Sequence, residues 1–285
     1  MLVNSISFRI NRWIALWFCR PTLQQFFYHG HKLMLRGLGL LNADGDDVTG
    51  EYWLLNRLAK SEIKTVVDVG ANVSIYGYDR LPKQVRYIGF EPNPETFALL
   101  QKQKYPERVQ LHQLAVGASE KTIKLYDFAD DAVLKLTQPT ATLASTSKAV
   151  IEQFHHQKAK AYDVKQIALD DFLKKQKVAS IDLLKIDVEG YELAVLQGAK
   201  QLIAKQMISL IQFEFNEMHV YHRVFFKDFI DLLPNYTLYR LGPNGLLPLP
   251  AYRPLTHEIF AFQNILAISH KHLDKWLLVF HTADS

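Results

Sequence analysis

Two groups of residues in this chain have the types and spacing to do chemistry. The first is Asp68-Val69-Gly70-Ala71-Asn72-Val73-Ser74, a carboxylate followed by a turn of small residues that lets backbone approach a ligand closely. Glu91 follows 23 positions after Asp68, close to the ~20-residue spacing at which an acid meets ribose hydroxyls in nucleotide-binding folds. The expected ligand is an adenosine. Its charge is then decided by the turn. A pyrophosphate needs a Gly-x-Gly-x-x-Gly loop with amides aimed at it, but here there is one glycine, with Asp68 at the entrance. That carboxylate repels phosphate and welcomes the ammonium and sulfonium of S-adenosyl-L-methionine.

The second group is Lys185, Asp187 and Glu189, followed downstream by Glu214, Asn216, Glu217 and His219. Methyl transfer is an in-line displacement, so a protein must align an acceptor oxygen and remove its proton. Asp187 is the candidate general base or substrate anchor and His219 is its rival, since an imidazole titrates near neutrality. Lys185, Asp187 and Glu189 share a face while strand geometry persists, and a cation among carboxylates relieves their crowding. Glu189, Glu214 and Asn216 are expected on the acceptor. Other readings stand beside these. His219 is one of 11 histidines and could be a satisfied core residue, Glu189 could cap the next helix, and Asp187, Glu189 and Glu214 could jointly hold Mg²⁺. Nothing in the spacing demands a metal, and none is expected.

These groups fall where short apolar runs end. KTVVDV (64–69), RYIGFE (86–91), VQLHQLAV (109–116), SIDLLKIDV (180–188) and ISLIQFEF (208–215) read as strands, most of them apolar on both faces as buried parallel strands are. Asn93-Pro94 opens a helix, and YELAVLQGAKQLIAKQ (191–206) reads as another. Alternating strands and helices predict a doubly wound α/β sheet, whose ligands bind at the carboxyl ends of the strands. KTIKLYDF (121–128) is expected to add an antiparallel hairpin, and residues 129–163 read as an excursion near the ligand face.

Composition sets the limits. The 285 residues are 48% hydrophobic and 22% charged, which excludes wholesale disorder and suits one main domain with appendages. A net charge of +4 spread along the chain predicts no nucleic-acid partner. One cysteine, Cys19, excludes an internal disulfide. No apolar run reaches the length that spanning a bilayer requires, and no signal peptide is evident, so a cytoplasmic location is expected. Residues 1–47 carry Trp13, Trp17, Phe18, Phe26, Phe27 and Tyr28 among scattered bases. They read as a helical cap over a core, or alternatively as a basic aromatic face on a membrane surface. The boundaries expected are 1–47 for this extension, 48–270 for the main domain and 271–285 for a tail.

The strings VVDVGANVSIYGY, IGFEPNPETF, LAVGA, IDLLKIDVEGYELAVLQGA and IQFEFNEMH, in that order, resemble the FkbM family of S-adenosylmethionine-dependent methyltransferases over residues 48–268. Leu184-Lys185-Ile186-Asp187-Val188-Glu189-Gly190 is the most specific of these elements. The resemblance implies a class I, Rossmann-like fold with a mostly parallel seven-stranded sheet, helices on both faces, and EIFAFQNILAIS (258–269) as the antiparallel last strand. It further implies methylation of a hydroxyl on a small molecule or sugar. By the same resemblance, Asp68, Gly70 and Asn72 line the methionine portion, Glu91 holds the ribose, and Ala115 to Gly117 neighbour adenine. Ser74 belongs to the same cofactor turn but departs from the family's glycine, and the helix between Tyr76 and Arg86 reads as short. Two other classes are weighed: a nicotinamide-dependent oxidoreductase, disfavoured by Asp68 and the missing glycines, and a non-catalytic domain that binds the cofactor without turnover. Nucleic-acid methylation is a weaker reading, because an Asn/Asp-Pro-Pro-aromatic turn is absent where Asp187-Val188-Glu189-Gly190 stands.

Overall fold

A computed structural model describes residues 2–43, 45, 47–129 and 144–281. The chain divides into two compact units, Met1–Leu41 and Asn42–Ser285. In the first, helices α1 (Leu2–Phe18) and α2 (Gln24–Gly37) meet where Phe18 packs edge-to-face on Phe27 at 6.1 Å between centroids, and within α1 Phe18 packs likewise on Trp13 at 5.5 Å. Trp13, Trp17, Phe18, Phe26, Phe27 and Tyr28 are all exposed.

The described residues of the second unit form eleven strands: β1 (Thr65–Val69), β2 (Arg86–Phe90), β3 (Val109–His112), β4 (Ala115–Val116), β5 (Lys121–Phe128), β6 (Ala159–Ile167), β7 (Ile181–Ile186), β8 (Ile208–Phe215), β9 (Tyr236–Gly242), β10 (Gly245–Pro248) and β11 (Gln263–Ser269). Eight form one sheet in the order β10-β9-β11-β8-β7-β1-β2-β3. Strands β3, β2, β1, β7 and β8 run parallel, and β11 inserts antiparallel between β8 and β9. The order reverses beside β1, which opens the crevice where such sheets bind ligands. Eight strands replace the expected seven because the turn after Gly242 folds β10 back onto β9.

Alternation along the strands explains why the sheet is buried. Val66, Leu183 and Leu210 lie side by side and feed one core, while Val67, Leu184 and Ile211 feed the other. The first face turns polar at its carboxyl end, where Asp68 pairs with Lys185 and Lys185 with Gln212 across adjacent strands. Residues two further on, Asp187 and Glu214, continue that polar row, whereas Val69, Ile186 and Phe213 keep the opposite face apolar.

Several elements differ from expectation in detail. VQLHQLAV splits into β3 and β4, because β4 leaves the main sheet to pair with β6. The antiparallel partner of β5 is β6, within the segment expected to be an excursion. Asn93 caps α4 (Pro94–Gln101) by accepting the Glu95 and Thr96 amides, as its sequence predicts. Among the described residues between Val69 and Arg86 there are turns and no helix, so the short helix expected there is absent. The helix over 191–206 is two, α6 (Glu192–Gln197) and α7 (Lys200–Ala204), after α3 (Glu51–Ala59) and α5 (Leu169–Lys175). The break falls at Gly198, where a Cβ would lie 2.1 Å from the Gly117 carbonyl oxygen. Residues Leu273–His281, expected as tail, form a helix that buries Trp276 and Phe280 in the core.

Candidate active site

The carboxyl ends of β1, β2, β7 and β8 open into a cavity of about 640 Å³, bordered by a second of about 360 Å³. Glu51, Gly70, Asn72, Ser74 and Asp187 line both. Glu91, Ala115, Glu189, Glu214 and Asn216 face the larger one, and Asp68 and Lys185 the smaller. The structure thus brings the two groups of candidate residues to one cleft, with Glu217 and His219 as the exceptions.

The cofactor turn is built by backbone that no side chain could replace. Gly70 has φ +87°, and a Cβ there would fall 1.8 Å from the Asp187 carbonyl oxygen. The amides of Gly70 and Ala71 both donate to the Phe90 carbonyl, and that of Asp187 to Val69, so three strand ends are tied at one point. Asn72 follows in the left-handed region at φ +52°, which asparagine tolerates better than most residues. Asp68 is buried and accepts the Tyr76 amide at 2.8 Å. Burial raises its pKa from 3.8 to about 7, against the Tyr76 hydrogen bond and the charge of Lys185.

Glu91 clamps two loops. One carboxylate oxygen accepts the Asn72 amide at 3.0 Å and the other the Asn93 amide at 2.8 Å. Burial still raises its pKa from 4.5 to about 7. A carboxylate oxygen has two lone pairs, so capacity remains for a ligand's hydroxyls on the cavity side. Asn93 also donates its Nδ2 to Asp127 at 2.7 Å, which fastens the small sheet to the rim of the large one.

At the end of β7, Lys185 is buried with its Nζ 3.2 Å from Glu51 Oε1 and 3.2 Å from Asp187 Oδ2. Burial alone lowers a lysine pKa, but Asp187, Glu51 and Glu214 outweigh it and keep the amine cationic. Gln212 Nε2 donates to the same Glu51 oxygen at 2.7 Å. The result is a fixed chain Gln212, Glu51, Lys185, Asp187, which leaves the Asp187 carboxylate partly exposed to the cavity. Sequence reasoning missed Glu51. Only its place in the first turn of α3 brings it here, 161 residues from Gln212.

Glu189 does not continue the face of Lys185 and Asp187 as expected. The strand ends at Ile186, and Glu189 and Gly190 turn at φ +55° and +96°. Neither does Glu189 cap the following helix. That helix has no side-chain cap, and Glu192 at its start instead fastens the preceding turn, accepting the Val188 amide at 3.1 Å and the Gly190 amide at 3.3 Å. Burial, with Asp187 and Glu192 nearby, raises the Glu189 pKa well above the ordinary range, and burial with Asp187 does the same for Glu214. A carboxyl shifted in this direction can donate a hydrogen bond when it carries its proton. Asn216 sits beside Glu214 and accepts the Met218 amide at 3.0 Å.

His219 is fully buried behind the cleft. Its Nε2 lies 3.0 Å from Glu192 Oε2 and its Nδ1 accepts the Asn216 amide at 3.2 Å. It lines neither cavity. Both nitrogens face the Glu192 turn and its neighbour Asn216, away from the cavities. No group of three or more His, Cys, Asp or Glu side chains among the described residues is arranged to hold a metal ion.

A parallel sheet reversed beside its first strand, with one antiparallel strand inserted before the last pair, and acids closing β1 and β2, defines a class I methyltransferase. A model of the methyltransferase FkbM domain matches residues 68–241, and the chain belongs to that family. Membership decides against the nicotinamide reading and identifies S-adenosyl-L-methionine as the cofactor. The chain is similar to the 2-O-methyltransferase NoeI of Sinorhizobium fredii, 23% identical over 185 residues covering 64% of this chain and 75% of that protein. It is also similar to Methyltransferase 1 of Beauveria bassiana, 28% identical over 147 residues covering 47% and 57% of the two chains. Among solved structures, a putative O-methyltransferase from Klebsiella pneumoniae aligns over 91% of this chain and 94% of its own, at 15% identity and a TM-score of 0.39.

Two observations test the fit of the cofactor to this cleft. Gly70 leaves a backbone surface bare of Cβ, and the buried acids Asp68 and Glu91, one lining each cavity, suit a cationic ligand when ionised. The volume is ordinary for a small-molecule site. No described helix is long and apolar enough to cross a membrane.

Proposed function

We propose that the protein transfers a methyl group to a hydroxyl oxygen of a small molecule or sugar, with residues 48–270 as the catalytic domain. The observation that carries this reading is the position of Asp187, on the border of both cavities and in backbone contact with Gly70. Asp68, Gly70, Asn72 and Ser74 would hold the methionine portion of S-adenosylmethionine, Glu91 the ribose, and Ala115 the neighbourhood of adenine. When bound, the cofactor supplies an electrophilic methyl carbon on a sulfonium.

The chain's own residues do the rest. Asp187 accepts the proton of the acceptor hydroxyl as the oxygen attacks, and passes it to solvent. Lys185 fixes the orientation of that carboxylate from below, itself held by Glu51. Glu189 and Glu214, whose pKa values are raised, face the acceptor as hydrogen-bonding groups, and Asn216 sits beside Glu214. The name of NoeI, a 2-O-methyltransferase, supports an oxygen acceptor. The test is release of S-adenosylhomocysteine across a panel of sugars and hydroxylated natural products. Turnover on a hydroxylated acceptor is the expected result; cofactor binding without turnover on any of them would favour the non-catalytic domain.

A further inference from the structure

The unit Met1–Leu41 has a use that methyl transfer does not explain. Its helix α1 presents Ile10, Trp13, Ile14 and Trp17 at positions i, i+3, i+4 and i+7, one continuous apolar stripe, and each is about half exposed or more. Helix α2 repeats the pattern with Phe26, Phe27, Leu33 and Met34 around Gly30, and again all four large side chains are exposed, Phe26 to 72%. Opposite that second stripe stand Lys32 and Arg36, four residues apart.

Charge separates this unit from the rest of the chain. It carries Arg9, Arg12, Arg20, Lys32 and Arg36, and no Asp or Glu precedes Asp44. Since the whole chain sums to +4, everything beyond this unit is slightly negative, and the expectation of an excess spread along the chain is corrected: it is gathered here. Phe8 and Leu16 of α1 are exposed as well, outside that stripe. Exposed tryptophan and phenylalanine with cations and no anions around them is the composition of a helix that lies in the headgroup region of an anionic bilayer. Arg20 over the Trp17 ring at 5.7 Å and Lys32 over the Tyr28 ring at 4.6 Å place cations beside the aromatic side chains. At 17 and 14 residues, the two helices are too short to cross the hydrocarbon core.

We propose that α1 and α2 dock the protein on an anionic lipid surface as an in-plane anchor, with the aromatic stripes inserted and the arginines and lysine on the headgroups. The anchor is independent of the acceptor assigned to the cleft.

The experiment is co-sedimentation of the full chain with phosphatidylcholine vesicles, with and without roughly one-third phosphatidylglycerol, at low and high salt. Binding should be at least about tenfold stronger to the anionic vesicles and should weaken with salt. The variant Trp13→Ser/Trp17→Ser should lose about tenfold in binding, and Arg9→Gln/Arg12→Gln should lose the preference for anionic lipid. Calorimetric binding of S-adenosylhomocysteine, unchanged in both variants, shows that the second unit remains folded. Absence of vesicle binding, equal binding to neutral vesicles, or retention by the tryptophan variant would overturn the proposal. So would a concentration-dependent dimer, abolished by the same variants in sedimentation velocity without any lipid binding, which would assign the stripes to a second copy of the chain.

Discussion

Gly70 and Asp187 touch through their backbones: a Cβ on Gly70 would stand 1.8 Å from the Asp187 carbonyl oxygen. The turn assigned to the cofactor and the residue assigned to the acceptor proton are thus one packed unit, joined further by the Asp187 amide donating to Val69 at 2.9 Å. Their separation is fixed by the parallel register of β1 on β7, which places Val69 beside Ile186.

Gly70→Ala must therefore move β1 away from β7 or unwind the turn, and φ +87° adds strain for any L side chain. The expected result is a loss of about 3 kcal/mol or more in chemical denaturation, together with loss of S-adenosylmethionine binding. A stable variant that binds normally would show that the two strand ends are not locked.

Glu91→Ala should weaken S-adenosylmethionine by about 1.5–3 kcal/mol, because hydroxyls bonded to a charged acceptor lose it. The same substitution frees the Asn72 and Asn93 amides, so a smaller loss of stability accompanies it. Isothermal calorimetry reads the first effect and thermal unfolding the second. Unchanged affinity would remove Glu91 from the ribose site.

The cleft was partly legible in the sequence, and the reasons are physical. Strands β1, β2, β7 and β8 are apolar on both faces, so their ends could be located, and with them Asp68, Glu91, Asp187 and Glu214. Strand β6 escaped because one face of AKAYDVKQI is solvated and its alternation of polar and small residues resembles a loop. His219 could not be ranked from its type alone. Its partner Glu192 is 27 residues away and meets it only after β8 has returned beside β7. Glu51 left no local signal, since its role comes from the packing of α3 over the polar end of the sheet. The aromatic residues of α1 looked like core because periodicity reports an apolar stripe without saying what covers it.

Asp187→Asn should leave cofactor affinity unchanged and lower kcat by about 10²- to 10⁴-fold, the usual contribution of a general base. Lys185 keeps an oxygen acceptor in that variant, so the fold is spared. Full activity would pass the proton to water.

Glu214 tests whether a buried acid works in its neutral form. Glu214→Gln keeps a hydrogen-bond donor without charge and should preserve KM within about twofold, whereas Glu214→Ala should raise it by about tenfold. A large loss in the glutamine variant would mean that the ionised carboxylate is needed.

Asp68 and Glu91, each raised to about 7, make the cofactor site pH-sensitive. A folded-state pKa above the unfolded value contributes stability below the unfolded value, near 4, and loses it as pH rises through about 7. The ligand-free protein should become less stable across that window, and Asp68→Asn should recover on the order of 2 kcal/mol at mildly alkaline pH. Affinity runs the other way. S-adenosylmethionine should bind more tightly from about pH 6 to about pH 8, because its cations favour the ionised acids. Titrations in buffers of different ionisation enthalpy should show proton release on binding; no release would contradict the raised pKa values.

The most direct test is a crystal structure of the protein with S-adenosylhomocysteine. The ligand should lie along the cleft with its ribose hydroxyls on Glu91, its amino acid portion over Gly70 and Asp68, and its sulfur turned toward Asp187. A molecule bound elsewhere, or seated in the cleft with the sulfur turned away from Asp187, would contradict the account.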